Sequence, residues 1–153
     1  MTLSDLIQQT RFESPAQEAV LNILATESWI AARMAEALGA YSVTPAQYNV
    51  LRILRGAGDA PMTCSQIGDR LLDRTPDVTR LLARLERAGL VTRTRAERDR
   101  RAVEVALTDA GRTVLAALDG PARAAVDGLT RHVSADDLAM LSRLLEALRT
   151  DQA

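Results

Sequence analysis

The sequence predicts a mainly α-helical chain with one small β-hairpin, and three observations carry that reading. Apolar residues recur at helical spacing in several separate segments, most clearly Val78, Leu81, Leu82 and Leu85 at i, i+3, i+4 and i+7. Helix-start signals precede those segments at Thr44-Pro45, Thr63, Thr75-Pro76, Thr108 and Ser134. The period then changes once, where Val103, Val105 and Leu107 alternate with Glu104 and Ala106 in the two-residue repeat of a half-buried strand.

In chain order, residues 1–14 read as a polar-leaning arm. A first helix is expected from Pro15 to Leu38, with Val20, Ile23, Leu24, Ile30, Met34 and Leu38 on its apolar side and Gly39 ending it. A second starts from the N-cap Thr44 with Pro45 at its first position and runs to about Arg55, burying Tyr48, Leu51 and Leu54. Gly56 and Gly58 break it. Thr63 caps a third helix whose Ile67 and Leu71 face inward.

The fourth helix is expected to begin with Thr75 as N-cap, Pro76 at its first position and Asp77 near the positive end of the dipole. Its apolar face is the Val78 to Leu85 series, and its other face carries Thr79, Arg80, Ala83, Arg84 and Arg87. Gly89 followed by Leu90 predicts a Schellman stop, since glycine adopts positive φ without steric cost. Leu90 to Arg95 then pairs with the Val103 strand. The charged loop Ala96 to Ala102 between them is too long for a tight turn and projects Arg98, Arg100 and Arg101 outward.

Thr108 caps a fifth helix carrying Val114, Leu115, Leu118, Ala125, Val126 and Leu129, in which Gly120-Pro121 predicts a kink or a one-turn break. Ser134 and Asp137 form a capping-box-like start to a sixth helix. Its Leu138, Leu141, Leu144, Leu145 and Leu148 make a wide apolar stripe. A single short domain cannot easily cover that stripe together with the apolar side of the first helix, so a partner chain is the economical solution; the alternative is that these helices close a monomeric core.

Charge is segregated along the chain. All 19 basic residues are arginine, and ten of them lie between positions 70 and 101, where five acids leave a formal charge of +5. The remainder carries −6, so the total of −1 conceals a local basic surface. Such a surface neutralises phosphates and releases counterions, and arginine adds a planar fork suited to phosphate and to guanine edges. Duplex DNA is the partner this placement favours, against the plainer reading of ordinary solvated charge.

Other classes are disfavoured. With 153 residues and 47% apolar composition the chain fits one packed domain. No charged leader with an apolar core and no run of membrane-spanning length is seen, so no membrane partner and a cytoplasmic location are expected. One cysteine excludes an intrachain disulfide framework, and the separated Cys64 and His132 offer neither a metal site nor a catalytic set; no cofactor and no enzyme activity are expected. Aromatic content of 3% speaks against base stacking on single strands.

The run Leu85-Glu86-Arg87-Ala88-Gly89-Leu90-Val91, then Asp99-Arg100-Arg101, then Leu107-Thr108-Asp109-Ala110-Gly111-Arg112, resembles the MarR family of transcriptional regulators, as do Leu51, Leu54 and Gly58 upstream. The likeness covers roughly Pro15 to the C-terminus. It implies a winged helix-turn-helix with a small β-wing, working as a homodimer on DNA. One domain, 1–153, would then comprise an arm at 1–14, dimerisation helices at 15–43 and 108–153, and a DNA-binding lobe at 44–107.

Two-fold symmetry would present two recognition helices about one turn, roughly 34 Å, apart and so predicts a near-palindromic operator. Thr75, Pro76, Asp77, Thr79, Arg80 and Arg84 are placed to reach base edges or flanking phosphates, and Ser65 and Gln66 suit phosphate contacts. The resemblance implies that Asp99 braces Arg101 for entry into the minor groove, whose narrow A·T form attracts arginine. It also implies repression and release by a small anionic or phenolic ligand between dimerisation helices and winged lobe. Trp29, Arg33, Tyr41 and Tyr48 are the candidates for that crevice, with core packing as the plainer role of Trp29 and Tyr48. Alternatives are redox sensing through Cys64 beside a helix N-terminus, and a winged module that binds protein.

Overall fold

Capping chemistry sets most of the helix boundaries. In the computed structural model, which describes residues 2–58, 60–72, 77–95 and 102–150, the elements are α1 Leu3–Ile7, α2 Pro15–Gly39, α3 Pro45–Gly56, β1 Met62–Thr63, α4 Cys64–Gly68, α5 Val78–Arg87, β2 Val91–Arg95, β3 Val103–Leu107, α6 Asp109–Thr130 and α7 Ala135–Ala147. Thr44 and Thr63 each accept an N–H from the third residue onward, while Gln47 and Gln66 return the bond to the cap backbone, closing complete capping boxes. Two orphan donors per helix are thereby satisfied.

The strands form one antiparallel sheet in the order β1-β3-β2, with Val91 opposite Leu107, Arg95 opposite Val103 and Met62 opposite Val105. Val105 and Leu107 turn inward while Glu104 and Ala106 are half-buried. One core joins α3, α4, α5 and the sheet to the end of α2 and the first half of α6, through Leu38, Leu51, Leu54, Ile67, Leu82, Leu85, Val105, Leu115 and Leu118. Full burial of each such leucine stabilises the fold by roughly 1.5–3 kcal/mol relative to exposure, so the winged lobe and α6 fold as one unit.

Several expectations are corrected. The fourth helix does not start from Thr75 with Pro76 at its first position; its N-cap is Asp77, whose carboxylate accepts the Arg80 N–H at 3.1 Å. A carboxylate is the stronger acceptor and favours the positive end of the dipole, so the start moves two residues on. Residues 73–76 themselves lie outside the described residues. The arm contains a helix, α1, held by a Thr2–Asp5 capping box and by burial of Leu3; five residues are too few to display a period. β1 is likewise too short to read from sequence and exists through its pairing with β3.

Gly120-Pro121 does not break the fifth helix, since α6 runs unbroken from Asp109 to Thr130. Gly120 lacks the Cβ that would clash with the proline ring, and Leu118 and Ala122, buried on either side, hold the helix to the core. Leu71 is buried as expected but lies beyond the end of α4. The Ser134 cap also differs in detail, because the shorter Asp137 carboxylate accepts from the Ser134 hydroxyl at 2.6 Å rather than from its backbone. No helix among the described residues is long and apolar enough to cross a membrane.

Candidate nucleic-acid interface

The candidate surface is built on α5. Leu81, Leu82 and Leu85 are buried, which fixes the rotation of the helix and turns Thr79, Arg80, Arg84 and Arg87 to solvent. Arg80 and Arg84, one turn apart, and Arg87 are held in no ion pair among the described residues, so their forks are free to meet phosphate or base edges. Asp77 is exposed, and its carboxylate serves the helix as cap. The helix ends as its sequence predicts: Gly89 takes φ 71°, its N–H donates to Glu86 O at 2.9 Å, and the Leu90 N–H donates to Leu85 O at 3.0 Å.

On α4, Ser65 and Gln66 are exposed, with Gln66 Oε1 held by the Thr63 N–H at 2.8 Å and its amide N–H groups still able to donate. On the hairpin, Arg93 leans on α5 and pairs with Glu86 at 3.4 Å, so it braces the wing against the helix. Its Nε is buried without a hydrogen-bond partner among the described residues. Arg95 closes β2 and is exposed. Thr75, Pro76, Arg98, Asp99, Arg100 and Arg101, all proposed from sequence as DNA contacts, lie outside the described residues.

The four crevice candidates are not brought together. Trp29 and Arg33 line a hollow of about 580 Å³ between α2 and α6, where Arg33 pairs with Glu36 at 3.0 Å and Arg131 faces them. Tyr48 is buried and borders a second hollow of about 370 Å³, between α3 and α6, lined also by Met34, Arg52, Arg55, Asp119, Arg123 and Val126. Tyr41 is exposed and lines neither. Position along the chain did not distinguish these environments.

Sequence reading missed the charged group in the second hollow. Arg55 forks onto Asp119 at 2.7 and 3.0 Å, and Arg52 lies 5.9 Å from the centroid of the Tyr48 ring, within cation–π range. The hydrogen bond from Arg55, added to the fields of Arg55, Arg52 and Arg123, holds the Asp119 carboxyl below its ordinary value, and Asp119 in turn raises Arg55. The available signal was the spacing of Arg52 and Arg55, three apart on one helix, and of Asp119 and Arg123, four apart on another. Cys64 is half-buried against the core, with Sγ 4.0 Å from Val103 O.

A trihelical lobe with a three-stranded wing, flanked by long terminal helices, is the architecture of winged helix-turn-helix regulators. Residues 41–102 match the family model described as "MarR family". The regulator PecS of Dickeya dadantii is 33% identical over 118 residues, spanning 72% of this chain and 70% of that protein. A MarR transcription factor from Planctomyces limnophilus superimposes with a TM-score of 0.70 at 42% identity, covering 90% of this chain and 99% of that one. A cysteine-to-serine mutant of Escherichia coli MarR, solved in complex with operator DNA, superimposes with a TM-score of 0.75 at 29% identity, over 82% and 89% of the two chains. The chain belongs to the MarR family of DNA-binding transcriptional regulators.

Proposed function

We propose that the protein acts as a homodimer that binds a near-palindromic operator in duplex DNA and represses the adjoining genes. The observation that carries this reading is the uncovered apolar surface on the terminal helices. α7 buries no residue within its own chain, and Met140, Leu141, Leu144 and Leu148 stand 48%, 49%, 57% and 63% exposed. Val20, Leu24, Trp29 and Val126 on α2 and α6 are about half exposed as well. An isolated helix of this length is marginal in water. Exposed apolar residues on one side of a helix, as Leu141, Leu144 and Leu148 are on α7, mark an interface, and a second copy supplies a matching one by symmetry.

Two-fold pairing then places two α5 helices, each with its Arg80 and Arg84 outward, toward successive turns of the major groove. A small organic anion entering between α3 and α6 is the proposed releasing signal. Three guanidiniums face one carboxylate there, beside the apolar walls of Met34, Tyr48 and Val126. Light scattering at micromolar concentration tests the foundation of this reading: twice the mass of one chain supports it, and a monomer overturns both the dimer and the paired half-sites.

A further inference from the structure

The stop of the recognition helix and the start of α6 share backbone atoms at van der Waals distance. The Thr108 N–H donates to Leu90 O at 3.2 Å, and the Thr108 hydroxyl donates to Gly89 O at 2.7 Å while accepting the Gly111 N–H at 2.9 Å. Gly89 and Leu90 are themselves fastened to the last turn of α5 through Glu86 O and Leu85 O. Gly111 is buried against this point. A Cβ there would overlap the Leu90 carbonyl oxygen and lie 3.0 Å from its carbon and 3.3 Å from Leu107 Cδ2. The obstacle is backbone, so it cannot swing aside as a side-chain tip would.

We propose that this joint, made by Thr108 and Gly111, positions the recognition helix relative to the dimerising helices and thereby sets the half-site spacing that the protein accepts. α6 is 22 residues long, about 33 Å at 1.5 Å per residue, and carries the exposed Val126 toward the dimer side in its second half. Leu115, Leu118, Ala122 and the Arg55–Asp119 pair hold the first half of α6 to the same core, so the joint acts with them in setting the direction of the whole helix, and a tilt of about 6° over its length moves the far end by about 3.4 Å, one base-pair step. The hydrogen bonds of the joint run to backbone or to the short Thr108 side chain, and the buried Leu107 side chain packs beside Gly111, so little there gives way to absorb that tilt.

This inference rests on the proposed dimeric reading, and the test separates the two. Duplexes carrying the half-sites selected by the wild type are prepared at the selected separation and at one and two base pairs to either side. Binding of wild type, Gly111→Ala, Thr108→Val and Thr108→Ser is compared by fluorescence anisotropy, with light scattering to verify dimers. Wild type is expected to favour its own spacing by about tenfold or more. In Gly111→Ala the optimum moves by a base pair or the preference falls to about threefold; in Thr108→Val the preference falls likewise. Thr108→Ser, which keeps the hydroxyl, retains the wild-type profile.

A merely structural role predicts lower affinity at every spacing with an unmoved optimum, and that result overturns the inference. Should Gly111→Ala fail to fold, the comparison of Thr108→Val with Thr108→Ser decides. A wild type that shows no spacing preference at all overturns the dimeric operator reading, and this inference with it.

Discussion

The guanidinium of Arg55 on α3 grips the carboxylate of Asp119 on α6 with both terminal nitrogens, at 2.7 and 3.0 Å, across 64 residues of sequence. The pair ties the winged lobe to the long helix α6. Both side chains are about 40% exposed, at 44% and 41%, so solvent screens the pair.

The first prediction concerns this pair. Because the folded Asp119 carboxyl is held below its ordinary value, the pair stabilises the fold fully above the unfolded carboxylate range and loses its contribution as pH falls through the lower folded value. Asp119→Asn should therefore cost about 0.5–1 kcal/mol at neutral pH, the upper part of the range for exposed pairs given its forked geometry. Urea unfolding as a function of pH checks this. A stability difference from wild type that persists unchanged in strong acid would contradict the assignment.

The second concerns the uncovered stripe. Leu141→Asp or Leu144→Asp should leave the winged lobe folded, since neither residue belongs to its core, yet disrupt assembly by placing an unpaired carboxylate in an apolar seam. Circular dichroism should stay close to wild type while the mass by light scattering halves. Dimers of undiminished stability would place the interface elsewhere.

The third separates base reading from backbone holding. If Arg84 makes a bidentate contact to a guanine, Arg84→Ala should cost about 1–3 kcal/mol of binding and flatten the preference at one position per half-site. Arg84→Lys should lose most of the same preference, because an ammonium cannot reproduce the planar fork. A uniform loss over all sequences would make Arg84 a phosphate contact.

The fourth tests the wing through its sign. If Asp99 braces Arg101 in the minor groove, both Arg101→Ala and Asp99→Ala should weaken operator binding, although the second deletes a negative charge near DNA. An unheld arginine must be ordered on binding, which costs entropy. Removing Arg101 should also lower the salt slope by about one unit. Tighter binding by Asp99→Ala with unchanged Arg101→Ala would remove the wing from the account and leave α5 in place.

What could be read from sequence was set by local physics. The Gly89-Leu90 stop and the outward row of Arg80 and Arg84 depend on residues within two turns of one another, and both appear as expected. The start of α5 was misread because Thr75-Pro76 and Asp77 are competing cap signals in adjacent positions, and sequence alone does not weigh a hydroxyl against a carboxylate. β1 and the Arg55–Asp119 fork were invisible for a different reason: each exists only once distant segments meet, Met62 with Val105 and α3 with α6. The close approach of Gly111 to Leu90 belongs to the same group, since nothing near Gly111 in sequence shows that a carbonyl will lie against it.

If two copies of this chain read two symmetric half-sites, DNA fragments selected by the purified protein and sequenced should carry that symmetry. An inverted repeat is expected whose half-sites are centred about one helical turn, roughly 34 Å, apart, with one position in each half-site losing definition when the selection is repeated with Arg84→Ala. Recovery of a single unrepeated motif, or of fragments with no common sequence, would contradict it.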